Sequence, residues 1–169
     1  MKTLLILRHG KAEGHSPQGD KGRALTGRGG RDAAAIGQQI LDGFGRPDLI
    51  VASDAARARQ TAQIVATVVG CPVGIETRGA IYEADVDALL GVIRELPNSA
   101  GCVLLVGHNP GLEQLAGVLD AEAGAPPSLP TAGLIPLQFE TDTWEDVRPG
   151  TGRRRDLLTP KHHTKEKGT

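Results

Sequence analysis

Aromatic side chains are nearly absent from this 169-residue chain, which has one Trp, one Tyr and two Phe. Its core must therefore be built from Ala, Val, Leu and Ile, and a stacking platform for single-stranded nucleic acid has no faces to offer. Cysteine is almost as scarce. Cys71 and Cys102 make no disulfide framework, and Cys102, opening an apolar run, reads as a small buried residue. Long hydrophobic runs are missing too. Leu4-Leu5-Ile6-Leu7 is shorter than the roughly 7–15 residues of a signal-peptide core, and no stretch approaches the ~18 apolar residues of a membrane span. An excess of either charge is also lacking, the net being −1, so no global pull towards nucleic acid or a membrane is expected. The class that remains is a cytoplasmic globular enzyme or binding domain.

Hydrophobic residues make up 39% of the chain and charged residues 23%, enough for one ordinary core. Three short apolar runs, Thr3–Leu7, Leu49–Ala52 and Val103–Val106, have no polar face, the pattern of strands buried on both sides. Helical spacing lies between and after them. Ile36, Ile40 and Phe44 recur every four residues, and Ala58, Ala62, Val65 and Val69 share a stripe with Ser53 as the expected N-cap. Val86, Leu89, Leu90, Ile93 and Leu96 form a wide face behind Asp85, another expected cap. A fourth helix is expected to open at Asn109-Pro110 and to carry Leu112, Leu115 and Leu119. Such alternation predicts an α/β fold with a mainly parallel sheet covered on both faces. Gly133–Phe139 reads as a further strand that Pro136 confines to an edge or a bulge, with a weaker strand near Arg154–Leu158. One domain is expected over 1–160. Residues 161–169 read as a flexible polar, basic tail: residues 150–169 hold six Lys/Arg against two acidic residues.

Ligands gather beyond the carboxyl ends of strands in such sheets. The first run is followed by Arg8-His9-Gly10, the second by Ser53-Asp54 and then Arg57, Arg59 and Gln60, the third by Gly107-His108-Asn109-Pro110. Two histidines and two or three arginines at one edge, with no matching carboxylate cluster, point to an anion of high charge such as a phosphoryl group. His15, His162 and His163 read as surface residues.

Leu7-Arg8-His9-Gly10 resembles the Arg-His-Gly signature of the histidine phosphatase (phosphoglycerate-mutase-like) superfamily. Ser53-x3-Arg57-x2-Gln60-Thr61 is similar to its second motif and Gly107-His108-Asn109-Pro110 to its third, in the form typical of SixA-type phosphohistidine phosphatases. Asp20-x2-Arg23-x-Leu25-Thr26-x2-Gly29 is similar to the SixA segment before the first helix. The resemblance implies a three-layer αβα sandwich and a phosphatase acting through a covalent phosphohistidine on His9. Arg8 and Arg57 would keep His9 neutral, and Arg8, Arg57 and His108 would hold the phosphoryl oxygens. With guanidinium groups supplying the charge, no metal or other cofactor is required.

The resemblance also implies a proton donor at Glu83, with Asp85 as a rival whose capping role competes, and a phosphate- or substrate-gripping Arg23. Phosphohistidine in a protein is the favoured substrate, because a chain this short has little room for an inserted cap over small molecules. A small phosphate ester is the alternative. A non-catalytic phosphate-binding module and a metal hydrolase using His9 and His108 are the competing classes. The second lacks a His-Glu-x-x-His pattern.

Overall fold

The computed structural model describes residues 1–70, 74–122 and 124–160. Cys71 and the basic tail, with His162 and His163, lie outside the described residues. Strand β1 (Lys2–Arg8) is followed by α1 (Gly27–Phe44), β2 (Leu49–Ala52), α2 (Ala56–Val69) and the two-residue β3 (Glu76–Thr77). Then come α3 (Val86–Arg94), β4 (Cys102–Gly107), α4 (Gly111–Leu119), β5 (Leu134–Phe139) and β6 (Gly152–Arg154). The sheet runs β3-β2-β4-β1-β5-β6. Strands β1 to β4 are parallel, and β5 runs antiparallel to both β1 and β6.

The unpatterned apolar runs are explained by what lies above and below them. Leu4 and Ile6 of β1 join Val51, Val103 and Leu105 against α3 and α4 on one face. Leu5 and Leu7 join Ile50, Ala52, Leu104 and Val106 against α1 and α2 on the other. Alternate residues of each strand thus enter two separate cores, giving the expected three layers. Trp144, the single tryptophan, is fully buried and donates its indole N–H to the Ala100 carbonyl at 2.9 Å.

Three local expectations need correction, and a fourth, the edge or bulge expected at Pro136, resolves to the bulge. Ser53 does not cap α2. The cap position is Ala55, whose N–H donates to Ser53 Oγ at 3.2 Å. Asn109 does not cap α4 either, because its side-chain amide turns away to the Leu129 carbonyl and Pro110 takes the cap position. Asp85 does cap α3, accepting from Ala88 N–H. Pro136 lies in an inner strand, not an edge strand, since β5 is flanked by β1 and β6. It is accommodated by a register slip: Leu137 pairs with Arg154 but Leu134 with Leu158, so residues 155–157 bulge opposite 135–136. The last strand correspondingly starts at Gly152 and is interrupted before Leu158.

Glycine matters where the loop after β1 crosses the start of α1. A Cβ on Gly10 would sit 2.6 Å from the Gly29 carbonyl oxygen, and one on Gly29 would sit 2.1 Å from that of Lys11. Only hydrogen allows so close a backbone approach. The contact presses the 11–26 loop over the carboxyl ends of the strands.

Candidate active site

The carboxyl ends of β2, β4 and β1 are adjacent in the sheet, so the residues that follow them share one cleft. His9, the first residue past β1, is buried (8% exposed). Its Nδ1 lies 2.7 Å from the Gly10 carbonyl. A carbonyl only accepts, so Nδ1 carries the proton and Nε2 is left with its lone pair. Removal from water lowers the His9 pKa to about 4. The Gly10 contact opposes that shift, while Arg57, Arg8 and Arg23 add to it. The arginines therefore assist in keeping the ring neutral, as expected, but burial is the larger cause.

His108, one residue past β4, has its ring centroid 5.1 Å from that of His9. Its pKa also falls to about 4, first by burial and then by the proximity of His9 and Arg57. Arg8 reaches the Leu129 carbonyl through Nη1 at 3.1 Å. Arg57, on the first turn of α2, is 7% exposed and faces Asp20: Nη1 donates to the Asp20 carbonyl at 2.8 Å, Nη2 to Oδ2 at 3.0 Å. Arg59 is exposed and donates to the Asp54 carbonyl.

No carboxylate cluster was expected beside the cations, and a single carboxylate, Asp20, stands among them. Its side chain accepts from Tyr82 OH, from Arg23 Nη1 at 2.9 Å and from Arg57 Nη2. These three bonds, the tyrosine's first, hold its carboxyl well below the usual carboxylate range. The same contact pushes the Tyr82 phenol up to about 12. Arg23 is spent within the loop, on Asp20 and on the Glu13 carbonyl at 2.6 Å, and reaches the cleft as a nearby charge. His15 is exposed, as expected.

Asp20, Arg57, Tyr82, Glu83, Asp85, His108, Asn109 and Gln114 line a cavity of about 410 Å³. Glu83 is exposed on its wall at φ +52°, a left-handed conformation costly for a residue with a Cβ. Among the described residues no cluster of three or more His, Cys, Asp or Glu could hold a metal ion, and no helix is long and apolar enough to cross a membrane. Chemically, the cleft pairs a neutral imidazole carrying a free lone pair with guanidinium groups and a second imidazole. The model of the histidine phosphatase superfamily, branch 1, matches residues 4–100.

The chain belongs to that superfamily. Within it the likeness to SixA-type proteins extends over nearly the whole chain. A protein from Agrobacterium tumefaciens assigned to the SixA phosphohistidine phosphatases is 31% identical, with a TM-score of 0.78 over 94% of this chain and 98% of that one. The protein histidine phosphatase SixA complexed with tungstate superposes with a TM-score of 0.83 at 21% identity, covering 95% of this chain and 99% of that one, a likeness of fold. An uncharacterized protein of Mycobacterium tuberculosis is 29% identical over 85% of this chain and 93% of its own length.

Gln60 and Thr61 of this histidine phosphatase site were named from sequence only as part of the second motif, with no role assigned, and Leu129 was not singled out at all. Gln60 Oε1 accepts from Leu25 N–H at 2.8 Å. Thr61 Oγ1 accepts from Gly10 N–H at 3.0 Å and donates to the Arg57 carbonyl at 2.7 Å. The two residues together fasten the first loop to α2. Leu129 joins the site through its backbone: its carbonyl receives Arg8 and Asn109, and its N–H donates to Glu113. Backbone acceptors carry no residue signature, so no motif could have found it.

Proposed function

We propose that the protein is a metal-independent phosphatase that transfers a phosphoryl group to His9 Nε2 and then to water, with phosphohistidine in proteins as its substrate. The observation that carries this reading is the buried His9 ring, its tautomer held by the Gly10 carbonyl, beside Arg57 and facing His108. In the first step the Nε2–P bond forms as the bond from phosphorus to the leaving nitrogen or oxygen breaks, and the leaving group takes a proton from Glu83 or from solvent. In the second, water attacks phosphorus, the Nε2–P bond breaks, and inorganic phosphate leaves with His9 restored. Arg8, Arg57 and His108 hold the equatorial oxygens while charge spreads over them. Arg23 acts at the margin, through Asp20. The near full-length likeness to the Agrobacterium protein supports phosphohistidine over a small ester.

Brief exposure to a histidine-phosphorylated phosphocarrier protein, followed by quenching and mapping, should place an acid-labile phosphoryl label on His9. His9→Ala should carry no label and have no turnover. Label on another residue overturns the nucleophile, and higher kcat/KM on a small phosphomonoester overturns the substrate class.

A further inference from the structure

We infer that Ser53 is a positioning residue that sets the tautomer of His108, presenting its Nδ1–H as a donor to the transferring phosphoryl group. The inference rests on the phosphatase reading above for its consequence, but not for its structural content.

Ser53 is the first residue past β2 and is fully buried. Its Oγ accepts the Ala55 N–H at 3.2 Å and lies 2.8 Å from His108 Nε2. A hydroxyl has one hydrogen to donate, and among the described residues the only acceptor placed for it is that ring nitrogen. If Nε2 carried the proton instead, the Ser53 hydrogen would be buried with nothing among the described residues to receive it, leaving a donor desolvated and unpaired. The hydroxyl therefore donates to Nε2, and the proton of a neutral His108 resides on Nδ1. His108 is neutral in this cleft, because burial and the neighbouring His9 and Arg57 disfavour its charged form.

The other end of the ring is the second observation. Among the described residues, His108 Nδ1 is a buried atom with no hydrogen-bond partner, and the ring lies beside His9. A buried donor without an acceptor is rare, and at a binding site the acceptor arrives with the ligand. A phosphoryl oxygen on His9 supplies one. Ser53 thus stands to His108 as the Gly10 carbonyl stands to His9, but with opposite polarity. The carbonyl accepts from Nδ1 and leaves a bare nucleophilic Nε2; the hydroxyl donates to Nε2 and leaves a protonated Nδ1.

The test reads the ring nitrogens directly. In the free wild-type protein, the ¹⁵N shifts of His108 should show Nδ1 protonated and Nε2 bare at neutral pH. Ser53→Ala should let the proton move to Nε2, weaken tungstate binding and lower kcat by roughly 10- to 100-fold, the size seen when the partner that orients a metal-ligating histidine is removed. Ser53→Thr, which keeps the hydroxyl, should restore the tautomer and most of the rate, separating this role from packing. A wild-type His108 protonated on Nε2 overturns the proposal, as does a folded Ser53→Ala protein with unchanged ring shifts and tungstate affinity. Because the shifts are read without substrate, a failed phosphoenzyme trap would sink the phosphatase reading and leave this assignment standing.

Discussion

The two ends of the parallel strands treat buried polar atoms in opposite ways. At the amino end of β1, Lys2 is almost fully buried, yet its ammonium donates to the Asn98 and Ala100 carbonyls and sits 5.7 Å over the Trp144 ring. Nearby, Asp48 Oδ2 accepts from the N–H groups of both Gly101 and Cys102. Past the carboxyl ends the pattern reverses. The buried side-chain atoms without a partner among the described residues are Arg8 Nε, Asp54 Oδ1, His108 Nδ1 and Asn109 Oδ1; Arg8 ends β1, and the other three follow β2 or β4. One end is closed by the protein itself. The other is left incomplete, which costs stability and is tolerated where a ligand completes it.

That contrast can be broken or sharpened by experiment. The largest effect should come from His9→Ala, which should abolish turnover while tungstate still raises Tm, since the guanidinium groups remain. Loss of both would mean the cleft had collapsed. Arg57→Ala should reduce kcat by on the order of 10²–10³, as removal of a transition-state charge stabiliser does. A loss under about 3-fold would pass that role to Arg59 or to water. Lys2→Ala should lower stability by about 1–3 kcal/mol through the orphaned carbonyls and leave kcat of the folded protein unchanged. A kinetic defect there would show that the two ends are coupled.

Acid should affect both properties. Folded His9 and His108 titrate near pH 4, below the ordinary histidine value of 6.5. Between those values the unfolded chain binds more protons, so stability should be full above pH 6.5 and fall progressively towards pH 4. The acid limb of kcat/KM should lie nearer 4 than 6.5, because the free nucleophile stays neutral down to that range. A limb at 6.5 would deny the burial effect. Glu83→Gln should have the smallest effect, a few-fold on a phosphoramidate whose leaving nitrogen needs little help. The same change should cost more on an alkyl phosphate; equal losses on both would remove Glu83 as proton donor.

Much of the fold was legible because burial on both faces leaves an unmistakable pattern. Leu49–Ala52 has the bounds expected, and the other two parallel runs differ by a residue at each end. The strand at Glu76–Thr77 was not legible, being two exposed polar residues held by the edge of β2. His9, His108, Arg8 and Arg57 were legible as strand-end residues because chain order in an α/β sheet brings such ends together. Asp20 was legible only within a motif. Its bond to Arg57 spans 37 positions and depends on how the loop folds over the cleft.

By itself, then, the sequence determined which strands would be buried, which side chains would stand at their ends, and that those side chains suit a phosphoryl group. Residue type and spacing carry that information. The tertiary structure decided the protonation of the site: which nitrogen of each imidazole holds the proton, that burial more than charge keeps His9 neutral, and that Asp20 occupies Arg57. These depend on a carbonyl, a hydroxyl and the exclusion of water meeting at one place. Such meetings are made by distance in space, which a linear order of residues does not record.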